Sequence, residues 1–265
     1  MEEQMRENKL RNLMEKDRPT LGTRVLIPWP GVMELLGHTN EYDYVEFLSE
    51  YAPYDLHDFD NFARAAELTD MSSMIKIDQE PRTYLSERAL MAGIQNILFV
   101  DIRNAEDARE AVNAVRAEPD GINGVRMDRR REYVGVHSTA EDYVRMCEDA
   151  VVALMIEKES AVENLEDILA VEGVDMVQFG PADYSLSLGK PGKTDHPEVK
   201  KAEEKVIQTA LEMDVRPRAE IRTPEDAERY IGMGVTDFSL ETDVRILYGW
   251  WKKNGADLNE ILSDI

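Results

Sequence analysis

Short apolar runs rich in β-branched residues recur along the chain. Longer stretches separate them, with apolar positions returning every three to four residues. The runs fall at 24–29, 44–48, 74–77, 96–100, 151–156, 175–179, 216–221 and 237–240. Runs of this length read as strands buried on both faces, and the 3.6-residue period of the intervening segments reads as helix, for instance at 105–116, 159–171, 198–213 and 224–233. Asn104 stands where a helix N-cap belongs, and Thr223-Pro224 places proline at a first helical position. Gly93, Gly173 and Gly234 each follow a helix and precede a strand, the usual place for a left-handed C-terminal residue. Eight strand–helix repeats in 265 residues predict one (β/α)8 TIM barrel of α/β class, a fold of about 250 residues. Residues 1–265 form a single domain in this reading, with an N-terminal helix within 1–20 and C-terminal helices within 243–265. The segment 118–150 breaks the rhythm and is expected to hold a long loop followed by an extra helix from about Thr139.

Charge narrows the choice of partner. Against 31 basic residues stand 54 acidic ones, a net charge of −23, which argues against nucleic acid or an anionic membrane surface. The single cysteine, Cys147, excludes an intramolecular disulfide and fits a reducing compartment. No apolar stretch nears the roughly 20 residues of a membrane span. The charged segment 1–16 lacks the apolar centre of a signal peptide, so a cytoplasmic protein is expected. Arg126, Arg129, Arg130 and Arg131 form the basic cluster of an acidic chain. They suit a solvated loop or a subunit contact; alternatively they close over a pocket and attract an acidic substrate group, with Arg126 as the substrate-binding candidate.

Two acids close two of the apolar runs. Val151 to Ile156 ends in Glu157, and the run through Phe179 ends in Gly180-Pro181-Ala182-Asp183. Neighbouring parallel strands would bring both carboxylates to the same sheet edge, where α/β proteins build their sites, close enough to share a divalent cation. Each acid alone would be an ordinary cap or surface group. His38, His57 and His137 are too scattered for metal-ligand spacing, and His196-Pro197 suits a helix start. Only His57, in the helix after Pro53, is a candidate substitute base.

Glu50-Tyr51-Ala52-Pro53, Gly121-Ile122-Asn123-Gly124-Val125, Glu157 and Gly180-Pro181-Ala182-Asp183-Tyr184-Ser185 occur in an order that resembles the HpcH/HpaI aldolase family of pyruvate-type TIM barrels. The segment from Asn164 through Asp175 and His196-Pro197-Glu198-Val199 extend that resemblance over nearly the whole chain. It implies a metal-dependent carbon–carbon lyase that cleaves or forms a 4-hydroxy-2-oxo acid through a pyruvate-type enolate. Glu157 and Asp183 would hold Mg2+, Mn2+ or Co2+, and the turn Gly180, Pro181 and Ala182 would receive the substrate carboxylate on backbone amides. A homo-oligomer is implied as well, a hexamer or an assembly of dimers, with the helix bearing Trp250-Trp251 exchanged between subunits.

Three departures from the family pattern bear on the chemistry. Tyr51 stands in place of a histidine that handles the C4 hydroxyl proton, Met91 in place of its aspartate partner, and Lys76 in place of an arginine that polarises the keto oxygen. The resemblance therefore casts Tyr51, Lys76 and Glu50 as catalytic candidates. A phenol titrates near 10, so as a base Tyr51 needs about 4 kcal/mol of help, part of it from Lys76 or the metal. Tyr51 as a pocket wall and Glu50 as a group that orders metal-bound water, or merely ends a strand, remain open. So do a metal-bound water as base, a Lys76 Schiff base, a 2-oxo acid decarboxylase, and a non-catalytic relative that binds metal and 2-oxo acid.

Overall fold

The computed structural model describes residues 6–125, 139–263 and 265. Arg126, Arg129, Arg130, Arg131 and His137 therefore lie outside the described residues. The chain runs α1 (Lys9–Glu15), β1 (Thr20–Val25), α2 (Pro30–Gly37), β2 (Tyr44–Leu48), α3 (Leu56–Leu68), β3 (Ser72–Ile77), α4 (Arg82–Ala92), β4 (Asn96–Phe99) and α5 (Ala105–Val115). After the undescribed segment come α6 (Ala140–Asp149), β5 (Val152–Ile156), α7 (Glu159–Glu163), α8 (Leu165–Leu169), β6 (Met176–Phe179), α9 (Pro181–Ser187), α10 (Pro197–Glu212), β7 (Arg216–Ile221), α11 (Asp226–Ile231), β8 (Asp237–Thr242) and α12 (Asp243–Leu262). All eight strands pair in parallel and in chain order, and β1 closes on β8. This is the expected TIM barrel.

Several boundaries moved for identifiable reasons. The first strand ends at Val25, not at 29, because Trp29 caps α2 and Pro30 opens it. Beyond the strand, the amides of Leu26 and Ile27 donate to the Asp243 carboxylate at 2.9 and 3.0 Å. Pro224 is not a first helical residue: α11 starts at Asp226, whose carboxylate accepts from the amides of Arg222 and Thr223 at 3.0 Å each. The helix expected over 159–171 is split at Asn164. Asn104 and Thr139 cap α5 and α6 as expected, and Gly93, Gly173 and Gly234 all adopt positive φ.

Two apolar regions result. Val45, Ile75, Ile97, Leu154 and Val177 face outward and pack beneath the helices. Tyr44, Met74, Leu98, Ala153 and Met176 fill the barrel, joined from below by Leu10 of α1. Gly22 makes room for Tyr44, since a Cβ there would lie 2.3 Å from the Tyr44 ring. The helix α1 seals the barrel floor through polar bonds too. Asn8 donates to Asn96 and to the Asp149 carbonyl at 2.8 Å each, and Arg11 grips Asp175 at 2.7 and 2.8 Å. With the floor closed, the open end is the C-terminal mouth.

Candidate active site

Strand register brings Glu157 beside the turn that leads to Asp183. Ile156 pairs with Phe179 across β5 and β6, so Glu157 and Gly180 emerge side by side. Glu157 is 3% exposed, and a Cβ on Gly180 would stand 2.9 Å from its Oε2. Asp183 lies in the first turn of α9, half-buried. Burial raises the Glu157 pKa, and Asp183 is near enough to raise it further, while the Asp101 amide and the Lys76 ammonium oppose the rise. That amide donates to Glu157 Oε1 at 3.0 Å from a residue in the left-handed region, at φ 55°. Pro181 carries no amide hydrogen, so the free donors of the first α9 turn belong to Ala182 and Asp183.

A second cluster stands two strands away, on β3, near enough for Lys76 to act on Glu157. Lys76, at 5% exposure on β3, donates to the Tyr51 hydroxyl at 2.8 Å and lies 4.6 Å from the ring centroid. Its Nζ is also 2.7 Å from Glu50 Oε2, an ion-pair contact whose angles are not those of a hydrogen bond. The Lys76 pKa rises: burial opposes the charge, but the Tyr51 oxygen and Glu50 outweigh it. The phenol of Tyr51 is pushed up to about 12 by burial and by Glu50, against the pull of Lys76. Lys76 thus supplies the expected help, but not enough to make the phenol a ready base.

Met91, near the C-terminal end of α4, sits toward the barrel floor and packs on Ala117, Tyr143 and Cys147 instead of beside Tyr51. His57 is exposed on the first turn of α3, where its amide donates to the capping Asp55 carboxylate at 2.7 Å. His196 does start a helix, accepting the Glu198 amide on Nδ1 at 3.3 Å.

A cavity of about 430 Å3 joins these groups, with Tyr51, Lys76, Gly180 and Asp183 in its wall. Sequence reasoning missed the residues on its far side. Arg24 and Glu220 form an ion pair there, and Gln178 Nε2 donates to Glu220 Oε1 at 2.6 Å. Arg218 and Glu46 form a fully buried pair beneath. The signal was present: in Arg216-Pro-Arg218-Ala-Glu220 charged residues alternate within a strand, which puts all three on the face turned into the barrel. Among the described residues, no group of three or more His, Cys, Asp or Glu converges to hold a metal, so Glu157 and Asp183 are a pair only.

A parallel barrel whose C-terminal mouth gathers paired acids, a buried ammonium and a phenol around a cavity is an enzyme scaffold of TIM-barrel type. The profile of the HpcH/HpaI aldolase/citrate lyase family matches residues 33–240, and the chain belongs to that family. It is 30% identical over 249 residues to the 4-hydroxy-2-oxo-heptane-1,7-dioate aldolase of Escherichia coli, spanning 91% of each chain. To the pyruvate aldolase of Rhizobium etli it is 34% identical over 210 residues, 78% of this chain and 80% of the other. The crystal structure of an HpcH/HpaI aldolase from Desulfitobacterium hafniense superposes with a TM-score of 0.87 at 26% identity, covering 95% and 96% of the two chains. The chain is an enzyme of the aldolase/lyase class.

Proposed function

We propose that this enzyme is a divalent-metal-dependent aldolase that cleaves or forms a 4-hydroxy-2-oxo acid, with Glu157 and Asp183 as the protein ligands of the cation. The observation that carries this reading is the almost wholly buried Glu157 emerging beside Gly180, whose turn leads within three residues to Asp183, close enough to act on the Glu157 charge. The donor set suits Mg2+, Mn2+ or Co2+: carboxylate oxygens from the protein, with positions left for water and a chelating 2-oxo acid. Gly180 supports it, because any side chain there would press on the Glu157 carboxylate. When bound, the cation would draw charge from the keto oxygen as the bond between C3 and C4 breaks.

This chain's own residues would do the rest. The amides of Ala182 and Asp183 would receive the substrate carboxylate, which Pro181 and Gly180 leave room to approach. Lys76, held charged by Glu50, would stand as a fixed cation beside the developing negative charge. Tyr51 would act as a relay: its oxygen accepts the C4 hydroxyl proton while its own proton passes to Glu50. C4 then becomes the aldehyde carbonyl, and the electron pair of the broken bond stays with the 2-oxo acid fragment. A relay avoids a free phenolate, which a pKa of about 12 disfavours. A charged Lys76 is also a poor Schiff-base nucleophile. Arg126 as a substrate contact falls outside the described residues. We also infer a homo-oligomer built through α12.

Cleavage of a 4-hydroxy-2-oxo acid, assayed with and without added Mg2+ or Mn2+, tests the proposal. Glu157→Gln and Asp183→Asn should each lower kcat/KM by about 10²-fold or more. Metal-dependent turnover that survives in both variants would contradict the ligand assignment. Release of CO2 from oxaloacetate without any cleavage would point instead to a decarboxylase.

A further inference from the structure

The proposed chemistry uses Tyr51, Lys76 and Asp183 of the cavity wall together with Glu157, and leaves Arg24 and Glu220 of that wall without a task. Arg24 belongs to β1, four strands from Glu157 in either direction around a closed eight-stranded barrel, so the two stand on opposite walls of the mouth. It lines the cavity at 8% exposure. Its Nη1 donates to Glu220 Oε2, its Nε is buried with no partner, and its Nη2 makes no hydrogen bond to a described residue. Gln178 Oε1 beneath is likewise buried and unpartnered. Native proteins satisfy nearly all such atoms, so the Arg24 guanidinium, a cavity-lining group with an unpartnered Nε, marks a place that something polar completes.

The local charge balance says what that partner is. Arg24 is neutralised by Glu220, Arg218 by Glu46 and Lys76 by Glu50. On the inner wall each of these three cations thus has a carboxylate partner, while Lys200, Arg222 and Arg245 also line the cavity. We propose that Arg24, positioned by Glu220, is the specificity-determining residue for the aldehyde half of the substrate. The preferred aldehydes are neutral and hydroxylated, their hydroxyl oxygen accepting from the Arg24 guanidinium. This inference rests on the aldolase reading. It also separates this chain from the relative named for a heptane-dioate substrate, whose distal end is acidic.

The test is aldol addition of pyruvate, with Mn2+, to glyceraldehyde, to butanal and to succinic semialdehyde. The wild-type enzyme should favour glyceraldehyde over both others. An Arg24→Met/Glu220→Met double variant, which removes both charges together, should lose about tenfold or more of the glyceraldehyde-to-butanal ratio of kcat/KM, because a site built to bond a hydroxyl rejects the analogue that lacks it. Arg24→Lys keeps the ion pair, guards against a folding defect, and should retain part of that ratio. A ratio unchanged in the double variant, or a wild-type preference for succinic semialdehyde or butanal, overturns the proposal. Exchange of the pyruvate C3 protons with deuterated water requires no aldehyde and isolates the two failures. Exchange with no Arg24-dependent preference sinks this inference alone, whereas absence of metal-dependent exchange in the wild type sinks the aldolase reading and this inference with it.

Discussion

At Tyr51, burial and the neighbouring Glu50 favour the neutral phenol, while the Lys76 ammonium 2.8 Å away favours the phenolate. Burial wins, although the residue as a whole remains 56% exposed, because the hydroxyl is the end engaged by Lys76. The consequence for stability has a definite sign. A phenol that titrates at about 12 when folded and near 10 when unfolded favours the folded state below pH 10, and that contribution disappears as pH rises from 10 to 12. The kinetic consequence follows from the relay. Tyr51→Phe should lower kcat for cleavage by about 10²-fold or more yet largely spare exchange at the pyruvate C3, and neither profile should show a phenol titrating below pH 10. An alkaline limb near pH 8 that Tyr51→Phe abolishes would show instead that the phenolate is the working base. Deeper in the barrel, Arg218 and Glu46 are both fully buried, with the guanidinium 5.4 Å from the Tyr44 ring. Breaking such a pair from one side costs about 3–5 kcal/mol, whereas replacing both partners by apolar groups is often neutral.

Among the elements, the strands were the most legible and the loops the least. Doubly buried parallel strands announce themselves as unbroken apolar runs, and seven of the eight were placed to within two residues at each end. The exception is β1: Leu26 and Ile27 carry the apolar pattern onward, but their amides bond a helix-start aspartate from the far end of the chain, which no local pattern reveals. Both metal-ligand candidates were readable because each follows closely on the end of an apolar strand, Glu157 directly and Asp183 after the Gly180-Pro181-Ala182 turn. The alternation within β7 pointed Glu220 into the barrel but could not reveal Arg24 as its partner, because that pairing joins β1 to β7 across 196 positions of sequence. The C-terminal helix α12 makes its own prediction. Ile246, Trp250, Trp251, Leu258 and Ile261 are each more than half exposed, a large apolar surface for a single chain. Sedimentation of the full chain at micromolar concentration should therefore show an oligomer, and Trp250→Glu with Trp251→Glu should shift it to a smaller species. A wild-type monomer, or an assembly indifferent to both changes, would contradict the role given to α12.

Across the whole molecule, the architecture sets a direction. The floor is sealed by α1, with Leu10 in the core and Arg11 clamped to Asp175, so chemistry is confined to the C-terminal mouth. Inside, an apolar layer around Met74 and Met176 gives way to the paired charges of Arg218, Glu46, Arg24 and Glu220, and then to the open cavity. The net charge of −23 does not describe this interior, where the cations are matched by carboxylates one for one. Composition was a poor guide to the pocket, because ion pairing depends on barrel closure. Among the described residues, no helix is long and apolar enough to cross a membrane. The proposed reaction depends on cation binding between Glu157 and Asp183. The most direct measurement is Mn2+ binding followed by electron paramagnetic resonance, with and without pyruvate, for the wild type and for Glu157→Gln/Asp183→Asn. The account predicts a wild-type site that pyruvate tightens and that the double variant loses. Equal Mn2+ binding by the two proteins, unaffected by pyruvate, would contradict it.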